Sequence, residues 1–184
     1  PIVFGQSFGG MVAMHYAARY PKSVSKLILS STAAQFRLDE TKKMMRKLGG
    51  DYAAEVAYQF FSKPSQAAYD TYGKVCLPLY SNPNAPAASN FRNRAIERPE
   101  VALHFFSYEM ARMDMRSEIA SITCPTLVIG GTIDPVTPPI CSQVIADAIG
   151  KNACLKLFEA CGHGPHRDDP DGAEHVMRGF LSIN

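Results

Sequence analysis

The first ten residues, Pro1-Ile2-Val3-Phe4-Gly5-Gln6-Ser7-Phe8-Gly9-Gly10, carry the pattern around which the chain is organised. A short apolar run is followed by Gly-x-Ser-x-Gly and then by a helix-like pattern that extends to about residue 20. A serine at a sharp turn from strand to helix is held in a strained conformation that lifts its hydroxyl above the sheet. We therefore predict that Ser7 is a nucleophile. Gly5 and Gly9 are predicted to be present because side chains there would collide where strand and helix meet. The alternative is a chance Gly-Ser-Gly turn.

On both sides of a long central segment, predicted strands alternate with predicted helices. Residues 26–31 form a second apolar run, so the chain begins with a βαβ unit, which pairs its strands in parallel. The alternation resumes after the central segment, where apolar runs at 125–129 and 154–158 predict buried strands. The patterns at 137–149 and 172–182 predict helices. We therefore expect a parallel α/β sheet.

The central segment, residues 33–117, contains no convincing strand and is called the helical insert below. Helical patterns cover 39–48, 51–61, 66–75 and 100–113, and Gly-Gly or proline interrupts them. The last of these helices carries more apolar surface than one face needs, and core packing explains most of it, with a pocket lining as the less favoured alternative. The predicted division is therefore 1–32, 33–117 and 118–184.

Composition excludes several classes of protein. The chain has 184 residues, of which 46% are hydrophobic and 20% charged, with a net charge of +2, as expected of a globular domain without a nucleic-acid or membrane partner. No apolar run approaches the ~20 residues that span a bilayer. Five cysteines without close pairing predict reduced thiols and a cytoplasmic protein.

Because the chain opens inside a strand, we expect it to be part of a longer protein.

Two further polar groups follow predicted strands, as Ser7 does. Asp134 comes after the strand at 125–129, and His163 comes after the strand at 154–158. In parallel sheets the active-site groups gather beyond the carboxyl ends of the strands. The order Ser, Asp, His along the chain is that of the α/β-hydrolase triad. We predict that these three side chains converge.

Each assignment has an alternative. Asp134 could be a plain turn residue before proline. His166, three residues after His163, is the competing histidine and is assigned instead to bracing the loop. A zinc cluster of Cys154, Cys161 and these two histidines is disfavoured because the C-x-x-C pairing of structural zinc sites is absent. No metal and no cofactor are predicted.

The chain resembles the α/β-hydrolase superfamily and is similar within it to proline-iminopeptidase-like hydrolases. The residues that carry the resemblance are 5–10, 124–138 and 162–165. The resemblance implies that the four strands, beginning at Ile2, Leu27, Thr126 and Leu155, are the last four of an eight-stranded sheet and follow the order of the sequence. It also implies that the helical insert is the family's cap domain. The likeness spans the whole chain but only roughly the carboxyl-terminal two thirds of such a fold.

The resemblance implies a role for each site residue. Ser7 attacks a carbonyl to form an acyl-enzyme, His163 transfers the proton, and Asp134 orients and stabilises the imidazole. The backbone N–H of Phe8 is one oxyanion donor. The second donor of the family comes from a glycine-rich loop after an earlier strand, and nothing in this sequence matches that loop.

The predicted function is that of a serine hydrolase acting on a small amide or ester, including short peptides, and most resembles a proline iminopeptidase. That family holds a substrate ammonium with cap carboxylates. The candidates here are Glu97, Glu100, Glu109 and Asp114, with Glu109 preferred because it lies among apolar residues. The alternatives are an esterase, a lactonase, a hydrolase of carbon–carbon bonds, or a non-catalytic or truncated binding module. The first strand is expected to leave an open sheet edge, through which the chain could form a homo-oligomer.

Overall fold

The structure, a computed structural model, describes residues 1–85, 96 and 98–182. Four strands form a single parallel sheet in the order β1-β2-β3-β4. They are β1 (Ile2–Gln6), β2 (Lys26–Ser30), β3 (Thr126–Gly131) and β4 (Ala153–Phe158). The parallel sheet and its strand order agree with the sequence-based prediction.

Helices cover both faces of this sheet. Helices α1 (Phe8–Arg19), α5 (Arg116–Ile119) and α6 (Pro139–Ile149) pack on one face, which carries Leu27, Leu29 and Val128. Helix α8 (Pro170–Ser182) packs on the opposite face over Ile28, Leu127 and Ile129. Successive side chains of a strand point to opposite faces, so strands covered on both sides are continuously apolar. This double covering explains why the runs in β2 and β3 do not alternate with polar residues.

The helical insert follows the predicted helices in part. Helix α2 (Leu38–Ser62) kinks at Gly50, where φ is 76° and ψ is −173°, so the predicted break between 39–48 and 51–61 is present. Helix α3 (Gln66–Val75) has the predicted bounds. A 3₁₀ turn, Leu77–Tyr80, follows it. No helix in the described part of the chain is long and apolar enough to cross a membrane.

The prediction of one regular helix over 100–113 was wrong. Helix α4 (Pro99–His104) continues into a π-helical turn, Phe105–Glu109, and then into a 3₁₀ turn, Met110–Arg112. Phe105 and Phe106 both pack on the core of the helical insert. Neighbouring residues of a regular α-helix point about 100° apart, and the wider π turn brings these two rings onto one side.

The two ends of the helical insert lie side by side. Gln35 and Asp114 form an isolated antiparallel bridge, and the backbone N–H of Met115 donates to the carbonyl of Ala34 at 2.8 Å. The insert also has its own aromatic core, which includes Phe60, Phe61 and Tyr72. The division of the chain into 1–32, 33–117 and 118–184 stays a prediction.

Strand β1 pairs with β2 and with no other strand of the described residues. Ile2 and Phe4 on this strand are 55% and 49% exposed, and Val12 on α1 is also exposed. An open edge of this kind can pair with another chain. Self-association through β1 stays a prediction, and light scattering on residues 1–184 would decide it.

The close packing around α1 confirms the steric requirement predicted at Gly5 but not the one predicted at Gly9. A Cβ at Gly5 would lie 2.5 Å from the carbonyl oxygen of Gly9 and 2.7 Å from the Cβ of Ala13. A Cβ at Gly9 would meet no atom within 4 Å, so the steric requirement predicted there is absent from the described structure. Gly10 carries it instead, because a Cβ there would lie 2.5 Å from the Cβ of Thr32.

We expect Gly5→Ala and Gly10→Ala each to lower the free energy of unfolding by roughly 1–3 kcal/mol, the usual cost of overpacking. Gly179, on an exposed face of α8 where a Cβ meets nothing within 4 Å, is the matched control. Gly179→Ala should raise stability slightly because alanine favours helix. Urea denaturation of the three variants measures the difference, and equal stabilities would contradict the packing argument.

Candidate active site

Ser7 lies at the turn between β1 and α1 in a conformation that side chains rarely adopt, with φ of 51° and ψ of −123°. Two hydrogen bonds hold this turn: the Ser7 N–H donates to the carbonyl of Ser30 at 3.0 Å, and the Thr32 hydroxyl donates to the carbonyl of Ser7 at 2.7 Å. Such a backbone costs on the order of 1–3 kcal/mol and persists only where its surroundings enforce it. The turn therefore has the geometry that the Gly-x-Ser-x-Gly pattern predicts.

The structure brings the three predicted polar residues together. Nε2 of His163 lies 2.9 Å from Oγ of Ser7. Nδ1 of the same ring lies 3.0 and 2.9 Å from the two carboxylate oxygens of Asp134. Asp134 is 0% exposed and His163 is 5% exposed, so the contact between them is shielded from solvent.

The carboxylate of Asp134 is held by its own turn as well as by His163. Its Oδ1 accepts hydrogen bonds from the backbone N–H groups of Val136 and Thr137, both at 2.9 Å, and its Oδ2 accepts one from the Thr137 hydroxyl at 2.8 Å. Asp134 is thus a turn residue and a partner of His163 at once, so the two readings of this residue are compatible.

Burial by itself would raise the pKa of the Asp134 carboxyl, but the nearby His163 and the hydrogen bonds from His163, Thr137 and Val136 outweigh that effect and leave this pKa below its ordinary value. Asp134 is therefore ionised at neutral pH and can only accept hydrogen bonds. The proton on His163 must then reside on Nδ1, which leaves Nε2 free to accept the Ser7 hydroxyl proton.

His166 lies apart from this cluster. Its ring packs edge-on to Phe4 at 6.3 Å between centroids, and burial lowers its pKa. The structure therefore places His163 beside Ser7 and leaves His166 near the outer strand. In the part of the chain that the structure describes, no three His, Cys, Asp or Glu side chains cluster so as to hold a metal ion.

Phe8, the predicted oxyanion donor, is the first residue of α1. The first N–H groups of a helix have no acceptor within the helix, so its backbone N–H is available to a ligand at the turn. The Phe8 ring packs edge-on against Phe105 of the π turn, with 4.8 Å between centroids. The helical insert thus contacts the residue that follows Ser7.

A cavity of about 690 Å³ opens beside Ser7 and His163, between the sheet and the helical insert. A volume in this range suits a small-molecule ligand. Its walls are mostly aromatic and aliphatic. The apolar lining residues are Phe8, Met11, Phe60, Phe61, Tyr69, Tyr72, Leu77, Tyr80, Val101, Ala102, Phe105, Phe106, Met110 and Val136.

Of the predicted substrate carboxylates that the structure describes, Glu100, Glu109 and Asp114 do not line this cavity. Glu109 ends the π turn with an exposed side chain, and Glu100 is also exposed. Asp114 bonds to Arg116 through two hydrogen bonds, and this pairing lowers its pKa to about 2. Glu97 lies outside the described residues. The sequence argument for Glu109 failed because Phe106 and Met110 pack into the core of the insert while Glu109 itself faces solvent.

Other polar residues reach the site without having been predicted. Asp70 and Arg98 line the cavity, and Thr137 holds Asp134. The pattern Asp-x-x-Thr could have indicated Thr137, since an aspartate commonly accepts hydrogen bonds from residues two and three positions later. No sequence signal marks Asp70 or Arg98, because each reaches the site through the packing of the helical insert.

Comparisons with known proteins show the family to which the chain belongs. The family model described as "Serine aminopeptidase, S33" matches residues 1–170. The chain is 31% identical to "Proline iminopeptidase PfmaB" of Pestalotiopsis fici over 98% of its own length and 66% of that protein. It is 26% identical to "Pimeloyl-[acyl-carrier protein] methyl ester esterase" of Neisseria meningitidis serogroup B, over 97% of its length and 68% of that protein. The chain therefore spans about two thirds of the length of these relatives.

Solved structures show the same fold. An alpha/beta fold family hydrolase from Bacillus anthracis str. Sterne superposes with a TM-score of 0.63 at 20% identity, and the match covers 97% of this chain and 66% of that one. At this level of identity the likeness concerns the fold alone.

We expect Ser7→Gly to be more stable than Ser7→Ala by about 1 kcal/mol, because glycine adopts a positive φ without strain. Both variants lack the hydroxyl, so the comparison isolates the backbone. Ser117, an exposed helical residue of α5, is the matched control, and there the order should reverse because alanine favours helix over glycine. Thermal unfolding of the four variants tests this, and the same order at both positions would contradict strain at Ser7.

Proposed function

The chain belongs to the serine aminopeptidase family S33 of α/β hydrolases, and from that premise we propose that it is a serine hydrolase that forms an acyl-enzyme on Ser7. The observation that carries the proposal is the contact of His163 with both other groups, 2.9 Å from the Ser7 hydroxyl on one side and hydrogen-bonded to Asp134 on the other. A nucleophile and base within hydrogen-bond reach, with the base oriented by a third group, is the arrangement that activates a serine.

In the proposed reaction, the Ser7 oxygen attacks a carbonyl carbon while its proton passes to Nε2 of His163. The resulting imidazolium is stabilised by the ionised Asp134, which does not itself take the proton. His163 then protonates the leaving alcohol or amine, and the C–O or C–N bond breaks. Water then gives a proton to Nε2 of His163 while its oxygen attacks the acyl carbon. The bond between that carbon and the Ser7 oxygen breaks, His163 returns the proton to the Ser7 oxygen, and the acid leaves.

The N–H of Phe8 is proposed to stabilise the oxyanion that forms during both steps. A donor of this kind is typically worth ~10²–10³ in rate. The N-terminus of α1 adds a partial positive charge at the same place. These groups act only when the carbonyl oxygen becomes negative, which is why they accelerate the chemical step and not merely binding.

The cavity supports an ester or amide with an uncharged, apolar acyl group as substrate. Its wall is aromatic on several sides, from Phe60 and Phe61 on α2 to Phe105 and Phe106 on the π turn. Burying an apolar group against such a surface is favourable by about 25 cal/mol for each Å² removed from water. An esterase-type activity therefore stands first, and the N. meningitidis relative is named as a methyl ester esterase.

An aminopeptidase is the second candidate, and Asp70 is the observation that favours it. Asp70 on α3 is the one carboxylate among the described residues that line the cavity. A carboxylate at this position could accept hydrogen bonds from the ammonium of a substrate amino terminus. The P. fici relative is named as a proline iminopeptidase.

The nucleophile is tested by a fluorophosphonate probe on the protein that contains residues 1–184. We expect the probe to label Ser7, and Ser7→Ala to abolish labelling and lower kcat by ~10⁶, as loss of a triad serine does. Asp134→Asn should lower kcat by ~10⁴ because the imidazole would then favour the wrong tautomer. A protein that folds but is not labelled would indicate a binding module in place of an enzyme.

The two substrate classes are separated by assays with p-nitrophenyl esters and with proline p-nitroanilide. An esterase should turn over the ester and be insensitive to Asp70→Asn. An aminopeptidase should cleave the anilide, and Asp70→Asn should raise its KM by roughly 10–100-fold, the value of a charged hydrogen bond.

Asp147 provides the matched control for Asp70. Both carboxylates accept a hydrogen bond from a glutamine four residues earlier, Gln66 at 2.8 Å and Gln143 at 2.7 Å, and both are exposed on helices. Only Asp70 lines the cavity. Asp147→Asn should therefore leave both activities unchanged, and an equal effect of the two variants would exclude a role for Asp70 in substrate binding.

A further inference from the structure

His163 contacts the helical insert through both its main chain and its ring. Its backbone N–H donates a hydrogen bond to the carbonyl of Tyr80 at 2.6 Å. Its ring packs edge-on against the Tyr80 ring, with centroids 5.2 Å apart. Tyr80 closes the 3₁₀ turn after α3, and residues 77–82 are called the docking segment below. A residue of the sheet region is thus held through its main chain and its ring by the insert.

Asp168, at the end of the short helix α7 (Pro165–Asp168), joins the docking segment to the His163 loop. Its Oδ2 accepts a hydrogen bond from the backbone N–H of Asn82 at 2.9 Å. The same oxygen accepts a second one from the backbone N–H of Gly162 at 2.7 Å. One carboxylate oxygen therefore bridges two segments that lie 80 residues apart in the sequence (162 minus 82).

The two segments approach so closely that only glycine fits at position 162. A Cβ on Gly162 would overlap the carbonyl oxygen of Tyr80 and lie 3.2 Å from the Cα of Ser81. The docking segment is in turn linked to the cavity, because the Tyr80 and Tyr72 hydroxyls are 2.7 Å apart and both residues line it. The docking segment therefore contacts both the wall of the cavity and the loop that carries His163.

We propose that Asp168 is a positioning residue for His163: by clamping the docking segment to the His163 loop, it holds the imidazole at the distance from Ser7 that proton transfer needs. The inference rests on the proposed function of Ser7 and His163. A misplacement of about 1 Å can cost a catalytic site ~10² in rate. Asp168 does not line the cavity and acts only through the loop that carries His163. Its loss should therefore lower kcat and leave KM nearly unchanged.

The test compares Asp168→Ala, Asp168→Asn and Asp169→Ala in the protein that contains this chain. Asp168→Ala should lower kcat for a p-nitrophenyl ester by roughly 10–100-fold with KM changed by less than about threefold. Asp168→Asn should recover most of the activity, because a single oxygen accepts both hydrogen bonds and an amide oxygen can replace it.

Asp169 is the matched control. It is the adjacent carboxylate and also accepts a backbone hydrogen bond, from Gly172 at 3.0 Å, but this bond caps α8 and does not reach the docking segment. Asp169→Ala should lower thermal stability as a lost cap does and leave kcat unchanged. If it lowers kcat as much as Asp168→Ala does, the loss reflects general destabilisation, and the proposal is wrong.

A second readout does not depend on turnover. The proton on Nδ1 of His163, hydrogen-bonded to Asp134, should give a downfield ¹H NMR signal that Asp134→Asn removes. Asp168→Ala and Gly162→Ala should shift or broaden this signal, whereas Asp169→Ala should not. An unchanged signal in a folded Asp168→Ala protein would overturn the positioning role. If the fluorophosphonate probe failed to label Ser7 while the signal still responded to Asp168, the proposed function would fail and the clamp would stand.

Discussion

The approach of α1 to β1 across Gly5 is the constraint on which the rest of the structure depends. A Cβ at this position would collide with the start of the helix. Because glycine has none, a single residue can separate β1 from α1. That residue, Ser7, is left with a positive φ and is held by hydrogen bonds to Ser30 and Thr32, which belong to the neighbouring strand and the turn after it. Pairing of β1 with β2 thus fixes the Ser7 backbone as well as the sheet.

Asp134 shows how a buried charge is accommodated beside this turn. A carboxylate without exposure to water carries a large desolvation cost, and unpaired it would be neutral. His163 offsets much of that cost, and two backbone N–H groups and a hydroxyl from the turn of Asp134 itself offset a further part. The turn after β3 therefore supplies hydrogen bonds that stabilise the ionised carboxylate of Asp134. His163 receives an acceptor that is already oriented, which lowers the reorganisation needed when its ring becomes charged.

The aromatic core of the helical insert has two roles. Phe60 and Tyr72 are buried members of that core and also line the cavity, and Phe60 contacts Tyr72 with 4.6 Å between ring centroids. Replacing a buried phenylalanine by alanine typically costs 3–5 kcal/mol. The shape of the cavity therefore cannot be changed at these positions without a cost in stability. Asp70 and Arg98 also line the cavity but are exposed, so their substitution carries no such cost.

The strand order was implied by the family resemblance, and the sequence alone was sufficient for the parallel sheet and for the meeting of Ser7, Asp134 and His163. Each depends on a local pattern at the carboxyl end of a strand, and parallel strands bring those ends to one edge. Only the tertiary structure could show that Gly10 and not Gly9 is sterically required, that Asp70 and not Glu109 lines the cavity, and that Asp168 joins two distant segments. These features depend on which way a side chain points and on how closely elements far apart in sequence approach. Helical periodicity specifies neither, because the packing of the insert against the sheet decides both.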